Sequence, residues 1–71
     1  MIERAWEDIV AKAIADHAPD VWLPDVLLFL KHDGQPTQVS PWEMAWAMFN
    51  EGHKDDALNA LATALTEHYG S

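Results

Sequence analysis

Four histidines, His17, His32, His53 and His68, stand among twelve Asp and Glu in a chain of 71 residues. Imidazole and carboxylate together can hold a divalent metal or move a proton. Sequence brings them close twice: His17 with Asp16 and Asp20, and His53 with Asp55 and Asp56. A helical metal site needs ligands on one face, as in His-Glu-x-x-His, and no pair of His four apart occurs. The histidines are dispersed and mostly near helix ends. For His17 and His32 this favours a charge against the C-terminal dipole, and His68 falls at the edge of an apolar stripe. The segment from Asp33 to Glu43 has the outline of a calcium loop. Counting back from Glu43 puts His32, Gly34 and Pro36 at ligand positions and Thr37 where the central glycine belongs, so the motif fails. Cysteine is absent, which excludes thiolate zinc sites and disulfides. No dinucleotide fingerprint, phosphate loop or Gly-x-Ser-x-Gly elbow is present. The sequence thus predicts no catalytic residue, no metal site and no cofactor.

Charge and size bound the rest. Twelve acidic against four basic residues give a net charge of -8. Such a chain repels nucleic acid, whose affinity comes from Lys and Arg, and it repels anionic membranes. Over distance it attracts a basic protein surface, including one that ordinarily holds nucleic acid. The same charge also keeps a small apolar protein in solution. A domain this short buries only about 60% of its unfolded surface, so it needs a dense core, self-association, or both. Four Trp and 49% hydrophobic residues supply the means. Met1-Ile2-Glu3-Arg4 does not open a signal peptide, and the longest apolar stretch, Val21 to Leu30, is broken by Pro24 and Asp25. The expectation is one domain in the cytoplasm or in a host cytoplasm.

The elements that must position these groups are all helical. Period-two alternation is missing and 3.6-residue periodicity recurs. The first helix is expected from about Ile2 to His17, with Ile2, Ala5, Trp6, Ile9, Val10, Ala13 and Ile14 in one stripe. Arg4, Asp8, Lys12 and Asp16 alternate in sign at four-residue steps on its far side and predict a salt-bridge ladder. The second helix is expected near Pro24 to His32, with Pro24 in its first turn, or from Val21 with Asp20 as cap. Gly34 is suited to the left-handed position behind it. Ser40-Pro41-Trp42-Glu43 is a capping box, with Val39 and Met44 available as a hydrophobic staple. It starts a third helix running to about Glu51, ended by Gly52. The fourth runs from about Lys54 to Tyr69, with Asp55 and Asp56 in the first turn and Ala57, Leu58, Leu61, Ala64, Leu65 and His68 as its stripe. Its many Ala suit close helix–helix approach. The fold class is all-α, a small antiparallel bundle of three to four short helices.

Gly52-His53-Lys54-Asp55-Asp56-Ala57-Leu58, followed by Leu61, Ala64 and Leu65, resembles the second half of a tetratricopeptide repeat. The first half departs from that pattern, since its Trp position holds Pro41. The resemblance covers about a third of the chain, and such repeats are normally stacked. It implies a helical hairpin and no particular function.

Two binding surfaces are expected. The second and third helices lack a polar side, and in so small a bundle only one helix can be surrounded by the others. The third is the better candidate for an interface, through Trp42, Trp46, Met48 and Phe49, with homodimerisation the first expectation for covering it. The other surface is carboxylate. Glu3, Glu7, Asp20, Asp25, Asp33, Glu43, Glu51, Asp55, Asp56 and Glu67 have no evident intrahelical partner. Carboxylates four apart on a helix are separated by about 6 Å along the axis. Phosphates in an extended backbone lie roughly 7 Å apart, twice the 3.4 Å step. In size, charge and lack of catalytic motifs the chain is similar to small acidic helical proteins of phages and mobile elements. Those proteins block restriction, CRISPR or polymerase machinery by filling basic channels. The reading is a non-enzymatic protein that binds a basic partner through Glu3, Glu7, Asp55 and Asp56. The alternative is an adaptor or assembly subunit working through the third helix.

Overall fold

In a computed structural model, residues 2–32 and 39–70 are described, and they form an all-α bundle of four helices. These are α1 (Ile2–His17), α2 (Leu23–Lys31), α3 (Pro41–Asn50) and α4 (Lys54–Tyr69). In α1, steps of four and three put Trp6, Val10 and Ala13 on one buried line, with Ala5, Ile9 and Ile14 half-buried beside it. Of the expected ladder only the last rung closes among the described residues, Lys12 to Asp16 at 3.4 Å. Both groups are more than half exposed, where long side chains gain little by staying paired.

Helix α2 starts at Leu23, one residue before Pro24. Its cap is Trp22, in extended conformation and with no side-chain cap bond, so Asp20 does not serve. The Trp22 carbonyl accepts from the amides of Asp25 and Val26 at 3.0 and 3.2 Å. Pro24 sits in the first turn, where its missing N–H costs nothing. Behind the helix the left-handed residue is His32, at φ 52, and its amide donates to the Leu28 and Phe29 carbonyls. Gly34, expected in that role, lies outside the described residues, as does Asp33. Val26 and Leu30 are fully buried, each stabilising the fold by roughly 1.5–3 kcal/mol.

Helix α3 starts as the capping box requires. The Ser40 hydroxyl accepts from the Glu43 amide at 3.1 Å, and Pro41 holds the first helical position. The return bond from the Glu43 side chain is not among the hydrogen bonds of the described residues. The helix ends at Asn50, a residue earlier than expected. There the Gly52 amide donates to the Phe49 carbonyl at 3.0 Å and the His53 amide to the Met48 carbonyl at 2.9 Å. This pair of bonds is the Schellman motif, and it places Gly52 at φ 91.

In α4, Ala57, Leu61 and Leu65 are fully buried at four-residue steps. This helix is the centre of the bundle. It packs most extensively on α3 and then on α1, while α2 meets α3 more lightly. The Thr66 hydroxyl and His17 Nδ1, each in the last turn of its helix, are 3.3 Å apart. Trp6, in the first half of α1, meets Phe49, which immediately precedes the turn into α4. So α1 and α4, which are not consecutive, run in the same direction. Helices α3 and α4 form an antiparallel hairpin. Tyr69 reaches across to α2, its hydroxyl donating to the Asp25 carbonyl at 3.5 Å. Burial, and secondarily the Asp25 charge, raise the pKa of that phenol above its ordinary value. No helix among the described residues is long and apolar enough to cross a membrane.

Candidate partner-binding surfaces

The α3 aromatics turn inward onto one ring. Trp6 has Trp42 at 5.3 Å, Trp46 at 5.2 Å and Phe49 at 5.5 Å, centroid to centroid, the first two edge-on. Positions 42, 46 and 49 share one helical face, and Trp6 from α1 fills the hollow between them. Phe49 is therefore buried core, and Trp42 and Trp46 are half-buried. The Lys31 ammonium lies over the Trp42 ring, 5.0 Å from its centroid, a cation–π contact that covers it further. This corrects the expectation of Phe49 as a surface residue. Much of the Trp42 and Trp46 area is used within the chain.

The large side chains left most open are elsewhere. Trp22, Leu23 and Leu28 are each more than half exposed, as is Val39, and Met44 is close to it. The exposure of Leu28 follows from the direction in which α2 is buried. Val26 and Leu30 define the inward line of α2, and a residue two steps from each lies about 200° away around the helix. Trp22 gave no such signal, because it precedes the helix.

Between α3 and α4 runs an open apolar groove of about 440 Å³. Val39, Pro41, Met44 and Met48 line one side. Along α4, Asp56, Asn59, Ala60, Thr63, Ala64 and Glu67 line the other. These fall beside the buried line of Ala57, Leu61 and Leu65, so the groove runs along the edge of the core. Ala57 is fully buried, whereas the short side chains of Ala60 and Ala64 leave the groove its depth. Val39 and Met44, the expected staple, meet at this groove and remain exposed. Beyond Glu67 the groove passes into a lesser hollow lined also by Phe29, His32 and His68.

The carboxylates follow the helix directions. Because α1 and α4 run the same way, Glu7, Asp55 and Asp56 all lie towards the end opposite the His17–Thr66 contact. All three are exposed. The Glu3 side chain lies outside the described residues. Asp55 and Asp56 border a polar notch with Gly52, His53 and Lys54, and His53 Nδ1 is 4.0 Å from the Asp56 carboxylate. Glu7 and Asp55 form no ion pair among the described residues.

The histidines have separate structural settings. His17 meets Thr66, His53 meets Asp56, and His68 stacks on Phe29 at 3.9 Å with 10° between planes. His32 Nδ1 is buried and has no hydrogen-bond partner among the described residues. No three His, Asp or Glu among the described residues converge as a metal site would need. No protein-family model, curated protein or solved structure matches this chain.

Proposed function

We propose that this chain is a non-catalytic binding protein that occupies a basic, nucleic-acid-binding site on another protein, in the cytoplasm of its own cell or of a host. One observation carries this reading: Glu7, Asp55 and Asp56 come from two helices to the same end of the bundle and stay exposed. Ion pairing among the described residues reaches only Asp16 and, through a histidine, Asp56. Most carboxylates of the described residues therefore have no cation of the chain beside them. Exposed carboxylates draw Lys and Arg over distance and compete for them with phosphates. Proteins of this type serve phages and mobile elements as inhibitors of restriction, CRISPR or polymerase machinery.

The test is competition. The immobilised chain, and a variant with Glu7→Lys, Asp55→Lys and Asp56→Lys, are exposed to lysate of the organism in which the protein acts. The wild type should retain a nucleic-acid-binding protein at low salt and release it to duplex DNA, and the variant should not retain it. Retention that survives both high salt and the triple reversal sinks the reading.

A second reading, a helical adaptor or assembly subunit working through α3, is favoured by Met44 and Met48 both lining the groove. Met suits surfaces that must adapt to a partner. Homodimerisation through that face belongs to this reading.

A further inference from the structure

We infer that the groove between α3 and α4 is a docking site for an amphipathic helix of a partner protein, apolar on one face and carrying Lys or Arg at both ends. This rests on the reading of the chain as a binding protein, and shares with its acidic end only Asp56. The shape points to a helix. The groove follows α4 from Asp56 to Glu67, a separation of eleven positions, which is about 16 Å or three helical turns. It is an open trough with methionine and alanine along its length, and an apolar helix face lies in such a trough through side chains three and four apart.

Charge completes the description of the occupant. Asp56 and Glu67 mark the two ends, and among the described residues no Lys, Arg or His lines the groove. A helix lying along α4 would meet both carboxylates with basic residues about eleven positions apart. Desolvated at the edge of an apolar contact, such pairs fix orientation and register. A second copy of this chain is a poor occupant, because each copy carries -8 and only four Lys and Arg.

The probe is a synthetic peptide of about 15 residues with Leu at three- and four-residue steps and Lys flanking that face at both ends. One control peptide scrambles the Leu order and another replaces Lys by Glu. Binding is followed by fluorescence anisotropy of a dye on the peptide, and circular dichroism confirms that each protein variant stays helical. The first peptide should bind and neither control should. Thr63→Lys, at an exposed position inside the groove, should weaken binding at least about tenfold, and Glu67→Lys several-fold. Glu7→Lys, at the acidic end, should change it little. Equal binding of the scrambled peptide, or equal loss with Glu7→Lys and Thr63→Lys, overturns the proposal in favour of undirected charge attraction. A dimer in sedimentation that Thr63→Lys dissolves also overturns it, by giving the groove to a second copy. Neither result bears on the DNA competition assay, so the two readings fail separately.

Discussion

Trp6 stands edge-on to Trp42, with 5.3 Å between ring centroids and 86° between planes. The positive edge of one indole meets the negative face of the other, an arrangement that adds about 0.5–1.5 kcal/mol to simple burial. Trp6 also packs edge-on to Trp46 and tilted on Phe49, so its removal leaves Trp42 without a ring partner and Trp46 and Phe49 with only each other. Trp6→Ala should cost about 3–5 kcal/mol. A chain of 71 residues has roughly 4–11 kcal/mol in all, so this variant should lose a large share of its stability. Trp6→Phe should retain the fold with a lower urea midpoint. An unchanged midpoint in Trp6→Ala would show that the cluster is not central to stability.

Ser40 is the one buried polar residue of the described core, and its hydroxyl satisfies the Glu43 amide. Ser40→Ala removes the acceptor at a helix start and should cost about 1 kcal/mol, read from denaturant unfolding. Ser40→Asp keeps an acceptor there and should recover part of the loss only if the site admits the extra atoms. A cost near zero for Ser40→Ala would mean that water replaces the hydroxyl.

Gly52 lies at φ 91, and a Cβ built there meets no atom within 4 Å. Crowding is thus removed from the comparison, and Gly52→Ala isolates the backbone. It should destabilise by about 1–2 kcal/mol, the cost of left-handed geometry for a residue with a side chain. Gly52→Asn should lose less, because Asn tolerates this region. Thermal melts of the three proteins order them.

Tyr69 gives the fold a dependence on alkaline pH. The phenol's pKa is raised in the folded chain, by burial first and by the Asp25 charge second. Between the unfolded value, about 10, and the higher folded value, the folded state holds the proton more tightly. The stabilisation is therefore complete below about pH 10 and is lost as pH rises through the folded value. Wild type should lose more stability between pH 9 and about pH 11 than Tyr69→Phe does. Parallel pH profiles for the two proteins would remove Tyr69 as the cause.

The helices were legible where a sequence carries its own punctuation. Ser40 and Pro41 open α3, Gly52 closes it, and Gly70 follows the last residue of α4, so these limits fall within a residue of expectation. Helix α2 has no side-chain cap, and its start was accordingly ambiguous between Val21 and Pro24. What the sequence could not carry was which apolar side of α3 faces inward. That depended on Trp6, a residue 36 positions before Trp42, filling the space between the α3 rings. Local periodicity holds no information on such a distant contact. The groove was illegible for the same reason, since it exists only where Met44 and Met48 come to lie beside Ala60 and Ala64.

The exposure of Trp22 gives the chain an optical reporter. Trp6, Trp42 and Trp46 sit ring against ring in a shielded cluster, whereas the Trp22 indole is 70% exposed beside Leu23. A neutral quencher such as acrylamide should therefore reach Trp22 first, and an anionic one should be held off by the charge of the protein. Trp22 follows α1, on the side of the bundle away from Glu7, Asp55 and Asp56. A partner that settles on the acidic end should leave its red emission in place, and one that covers the apolar start of α2 should shift it to the blue. Intrinsic fluorescence alone then distinguishes which pole of the molecule is occupied.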